Sequence, residues 1–177
     1  MAEPDDAVTG GAAAAPPRRG PAGERLEGFI YGTIVALTAV VAGARAYPHE
    51  AGHVAVLVAV TSVILWLAHV YAHGLGQSVS QGEHLHLAEL RRIARHELSI
   101  VEAAVPPVAA LLLGAIGVLK PSTSYWLALA LGLGVLMLQG LRFARIERLG
   151  ALATFAVVAA NVGFGAVLIA LKLLLIH

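Results

Sequence analysis

The chain has 177 residues, 58% of them hydrophobic and only 13% charged, with a mean hydropathy of +0.79. An ordinary soluble domain is about one-quarter charged, and a chain this short cannot hide so much apolar surface, so composition points to lipid as the solvent. A net charge of +1 leaves no electrostatic footprint for nucleic acid, and the absence of cysteine excludes disulfides, thiol catalysis and thiolate metal sites.

Residues 1–24 open with acidic residues and continue as an Ala/Pro/Gly run carrying Arg18 and Arg19. With no apolar periodicity and frequent Pro and Gly, the segment is expected to be a disordered tail, and its acidic start does not fit a signal peptide. Five apolar stretches follow, at 26–47, 51–74, 98–119, 124–141 and 149–175. Each comes near the roughly 20 residues that a helix needs to cross the hydrocarbon core. The spacing of a membrane barrel is absent, and lone strands would leave backbone groups unpaired in lipid. The predicted fold is therefore an all-α, polytopic membrane helix bundle of five transmembrane helices, formed by residues 25–177.

The punctuation between spans has local causes. Pro48 separates the first two spans. Gly74 and Gly76 lead out of the second, and Lys120-Pro121-Ser122 ends the third. In the longest connection, 77–97, Leu87, Leu90 and Ile93 recur at helical spacing between Arg91, Arg92 and Arg95, which predicts a short amphipathic helix on the membrane surface. Pro106 and Pro107 predict a kink in the third span, with the Glu102 carbonyl left exposed. Nine Arg fall on the side of the N-terminus (Arg18, Arg19, Arg25, Arg91, Arg92, Arg95, Arg142, Arg145, Arg148) against Arg45, Lys120 and Lys172 on the other. The positive-inside rule then predicts a multi-pass plasma-membrane protein, N-terminus inside and C-terminus outside.

The polar residues inside the spans divide by depth. Near the outer face, Pro48-His49-Glu50-Ala51-Gly52-His53 contains HExxH. On a helix, His49 and His53 would share a face and bind zinc, with Glu50 as general base. The bland alternative is a polar turn at the interface. Towards the cytoplasmic face, Trp66, His69 and His73 fall on one helical stripe, which Ser62 extends inward. Glu27, Glu102 and Gln139 approach the same depth from other spans. Ionisable groups in spans are costly and usually face a wet cavity or the bundle interior. His69, His73, Glu102, Glu27 and Gln139 are therefore expected to form a proton or divalent-cation cluster, the alternative being a structural role in holding helices in register. No other cofactor is implied; the string G-x-x-x-x-G-K-[ST] and the serine motif G-x-S-x-G are both absent. Gly28, Gly32 and Ala36 in the first span, and Ala159 and Gly163 in the fifth, form small-residue faces suited to close helix packing within the chain or between copies in a homo-oligomer. Asn161 is expected to hydrogen-bond between helices.

Three resemblances rest on particular residues. His49-Glu50-Ala51-Gly52-His53 resembles the first motif of the intramembrane site-2 metalloproteases, which implies zinc and a later Asp ligand; here the only aspartates are Asp5 and Asp6, in the tail. Arg25-Leu26-Glu27-Gly28-Phe29, with Trp66 and His69 in the next helix, resembles bacterial relatives of the endolysosomal potassium channel. Ile30 and Tyr31 stand where that family has its pore-lining Ser-Asp. In overall character the chain resembles small multi-pass membrane proteins of actinobacterial type with no assigned function. A non-catalytic membrane subunit or scaffold is the third functional class open to the sequence.

Overall fold

The computed structural model describes residues 21–81 and 86–175, so residues 1–20 of the expected tail, and His177, lie outside it. Among the described residues the chain is helical and contains no strand. The helices are α1 (Pro21–Ala46), α2 (Ala51–Gln81), α3 (Leu87–His96), α4 (Ser99–Glu102), α5 (Val105–Ala115), α6 (Pro121–Ile146) and α7 (Ala151–Leu175). Three stretches are long and apolar enough to cross a bilayer: Arg25–Ala46, Ala51–Val79 and Pro121–Ile146. A fourth is added if Leu87–Glu102 and Val105–Ala115, bent by 51°, count as one broken span. Helix α7 adds an apolar stretch at Ala151–Val167.

The side chains are distributed as lipid requires. On α2, Val56, Ile64 and Tyr71 are 62%, 61% and 71% exposed, a long apolar face that water would not tolerate in a monomer this small. The inner face of α1 buries Thr33, Ala36, Leu37, Val40, Val41 and Ala44, the i, i+3, i+4, i+7 rhythm of one helical stripe. This stripe meets Val54, Ala55 and Val58 of α2 and Ala128, Leu129 and Leu136 of α6 in one core. Lipid tails are as apolar as leucine, so packing in such a bundle depends on close contact rather than on escape from water. Small residues supply that closeness. A Cβ on Gly32 would stand 2.5 Å from the carbonyl oxygen of Ile100 in α4, and one on Gly28 would meet Ser99 Oγ. The 28/32/36 face is thus filled by the chain's own α4, while Ala159 and Gly163 on α7 are exposed.

Two ends of the bundle are distinguishable. At one, the Tyr125 hydroxyl of α6 donates to the Tyr47 carbonyl at 2.6 Å, tying the α1–α2 turn to the start of α6. At the other, Trp66 Nε1 of α2 donates to the Ala94 carbonyl of α3 at 2.9 Å, and Arg25 of α1 pairs with Glu102 of α4 at 3.4 Å. Tyr125→Phe removes a single neutral donor from a turn whose residues are otherwise exposed. It is expected to lower stability by about 1 kcal/mol, read as a small fall in the unfolding midpoint in detergent; an unchanged midpoint would show that water replaces the hydroxyl at no cost.

Several boundaries differ from the sequence expectation. Helix α1 starts at Pro21, inside the segment expected to be tail, because Pro suits a first helical position, where its missing N–H is not needed. Helix α2 runs through Gly74 and Gly76 to Gln81: a helical Gly costs only about 1 kcal/mol relative to Ala, too little to end a helix that packs against α3. Helix α6, expected to be the shortest span, has 26 residues. Where the third span was expected, the helix is not kinked but broken. Pro106 and Pro107 have no N–H to offer the carbonyls of Glu102 and Ala103, so helix α4 stops and α5 restarts with both prolines in its first turn. Helix α5 ends earlier than expected, at Ala115, where Gly117 takes a left-handed φ of 79° and reverses the chain. Arg148 adopts a φ of 50° in the α6–α7 turn, where Leu149 N–H donates to the Ala144 carbonyl.

Candidate functional site

The HExxH string lies at the Tyr125 end of the bundle and does not form the helical pair that zinc would need. Helix α2 begins at Ala51, so His49 sits in the preceding turn and does not share a helical face with His53. Glu50 is paired with His53 Nδ1, and the His53 ring stacks on Tyr47 with centroids 5.5 Å apart and planes 15° apart. The expected base is therefore held by one of its own expected ligands. Among the described residues no group of three or more His, Asp or Glu side chains could hold a metal ion. The residues at this turn do not fit a zinc centre.

The opposite end carries a built cavity. It has a volume of about 540 Å³ and is lined by Glu27, Tyr31, His69, His73, His96 and Glu97, with Gly28 in its wall. Three separate stretches of chain contribute: α1, α2, and the end of α3 with the turn that follows it. His69 and His73 come from α2, where a separation of four residues stacks them on one face. His69 lies about 27 Å along α2 from Ala51 at 1.5 Å per residue, near the far edge of a hydrocarbon core ~30 Å thick. The cavity thus lies towards the end of α2 remote from Ala51.

The contacts within it are specific. His69 Nδ1 lies 3.2 Å from the Leu65 carbonyl, an acceptor only, so Nδ1 is the donor in this contact. The Tyr31 ring packs on His69 with centroids 5.2 Å apart. His73 Nδ1 lies 3.2 Å from Glu97 Oε1; the Glu97 side chain is 15% exposed and that of His73 49%. A mostly buried carboxylate thus lies against a half-exposed imidazole.

Of the residues expected to cluster, Glu27, His69 and His73 come together. Glu102 does not join them: it pairs with Arg25 and lines a neighbouring cavity that shares only His96 with the first. Gln139 is buried on the inner face of α6 beside Leu136 and Gly140 and does not line the cavity. Asn161 of α7 reaches that face, its Nδ2 2.8 Å from where a Cβ on Gly140 would stand. Glu97, His96 and Tyr31 were not foreseen. Glu97 and His96 end a helix whose polar face reads as solvated, and only its docking against α2 brings them inward. The Trp66 indole, which needs an acceptor when buried, was the available hint that something packs there.

Compared with models of known families, with curated proteins and with solved structures, the chain matches none.

Proposed function

We propose that the chain is a multi-pass plasma-membrane protein with five crossings, N-terminus in the cytoplasm and C-terminus outside, that binds and releases protons at the His/Glu cavity in the service of transport. In this topology α3–α5 form the broken third crossing and α7 the fifth. The nine-to-three distribution of Arg and Lys supports the orientation. The observation that carries the functional reading is the convergence of His69, His73 and His96 with Glu27 and Glu97, from separate elements, around one cavity. Histidine is the side chain that changes charge near neutral pH, and the His73–Glu97 contact gives the charged form a partner. The lack of a three-ligand cluster among the described residues favours protons over a divalent cation. Elsewhere along α1 and α2, Leu37, Val40, Val54 and Val58 are buried in a packed apolar core.

The test is proton uptake into vesicles containing the purified protein and an internal pH dye, under an imposed pH gradient. The intact protein should exceed empty vesicles. His69→Ala/His73→Ala should lower the rate at least about tenfold, in keeping with the contribution of a positioned proton-transfer group. His49→Ala/His53→Ala should leave it unchanged. Flux from the intact protein no greater than from empty vesicles overturns the reading.

A further inference from the structure

On the far side of His96 from the proton cavity lies a second cavity of about 690 Å³, between α1 and α3. Arg25, Arg91, Arg92 and Arg95 line it, with His96 and a single carboxylate, Glu102. Glu102 is engaged by Arg25 at 3.4 Å, and Arg92 reaches Glu89 at 3.8 Å. Arg91 and Arg95, both exposed, have no carboxylate partner among the described residues. Guanidinium groups gathered in this way repel one another, and an anion with several oxygens relieves that repulsion by accepting forked hydrogen bonds from more than one of them.

The surroundings select the kind of anion. Helix α3 is amphipathic: Ile93 is buried towards α2, and the arginines occupy the opposite side. Apolar side chains flank the basic cavity, with Leu98 in its wall 40% exposed and Leu87, one residue before Ala88, 86% exposed. Trp66, one turn before His69, holds α3 against the end of α2 remote from Ala51; in the proposed topology that end leaves the hydrocarbon core, and the basic side of α3 lies where headgroups begin. A free anion in bulk water would have no use for exposed leucines beside its site, whereas a lipid offers a phosphoryl group and acyl chains together. We infer that this cavity binds the phosphoryl headgroup of an anionic phospholipid in the leaflet on the side of α3. The inference rests on the membrane reading but not on proton handling: lipid retention can hold where proton flux fails, and the reverse.

The experiment is native mass spectrometry of the purified full-length chain carried out of nanodiscs of mixed phosphatidylglycerol and phosphatidylcholine. The intact protein should retain phosphatidylglycerol in preference to phosphatidylcholine, and Arg91→Gln/Arg95→Gln should reduce that preference roughly tenfold or more, since each basic residue at an anionic surface contributes several-fold to affinity. Arg142→Gln/Arg145→Gln, which removes equal charge at the end of α6, should leave it intact. Equal retention of the two lipids overturns the proposal, as does undiminished preference in the Arg91/Arg95 variant or an equal loss in the Arg142/Arg145 variant. Displacement of the lipid by millimolar inorganic phosphate would assign the site to a soluble anion and overturn the lipid assignment. Both arginine pairs are exposed, and a matching unfolding midpoint for the two double variants confirms that folding is not what is being read.

Discussion

Gly32→Val is expected to leave little folded protein, and Gly32→Ala to lower stability by about 1–3 kcal/mol, the usual cost of forcing extra atoms into a packed contact. The reason lies in what the new methyl group would meet. At Gly32 the neighbours are the carbonyl oxygen, Cα and carbonyl carbon of Ile100, at 2.5, 2.8 and 3.0 Å from an added Cβ. These are backbone atoms, which cannot rotate away as a side chain can, so α4 as a whole must retreat from α1. Domains are stable by only about 5–15 kcal/mol, so the larger valine takes a substantial part of the total. Gly134→Ala on α6, where an added Cβ meets nothing within 4 Å, is the matched control and is expected to be neutral or to stabilise by up to about 1 kcal/mol. Thermal unfolding in detergent measures both. Equal midpoints for the two alanine variants would rule out the close approach of α1 and α4.

The second large effect is conformational. Pro106→Ala/Pro107→Ala restores two N–H groups opposite the carbonyls of Glu102 and Ala103, and so permits α4 and α5 to join as one continuous helix. An interior proline disfavours a helix by about 3 kcal/mol or more, so removing both lifts the main obstacle to closing the 51° bend. Straightening would carry α3 and the Glu97 turn away from α2 and separate His73 from Glu97. The chain has no cysteine, so His73→Cys/Glu97→Cys supplies the only thiols for a short bifunctional reagent. Cross-linking should be efficient with the prolines present and fall to background without them, while the protein still folds. Persistent cross-linking in the proline-free protein would show that packing of α3 on α2, rather than the break, positions Glu97.

The residues show why some of this was legible in the sequence and some was not. Helices α1, α2 and α6 follow from uninterrupted apolar runs, because lipid imposes one simple demand on composition and length. The polar ends of α2 and α6 were underestimated because hydropathy marks where a helix leaves lipid, not where it ends. His69 and His73 line one cavity, and helical periodicity within one segment is enough to put them on one face. Glu102 and Gln139 were placed by depth alone. Depth is one coordinate; rotation about the helix axis is the other, and packing sets it. Gln139 turned inward with Leu136, and Glu102 turned to Arg25. Glu97 entered the cavity through the backward fold of α3, a tertiary event that no local pattern encodes.

Helix α2 has 31 residues and is therefore about 46 Å long, against a hydrocarbon core of ~30 Å. In the proposed topology its last turns, with His69 and His73 at their base, stand where the membrane gives way to water. Hydrophobic mismatch then becomes a control on the chemistry of the site. In the proposed topology a bilayer thicker by one helical turn would submerge the cavity, and a thinner one would leave the whole of it wet. Two growth temperatures that differ in lipid chain length would thus set the same cavity to different degrees of hydration without altering a residue.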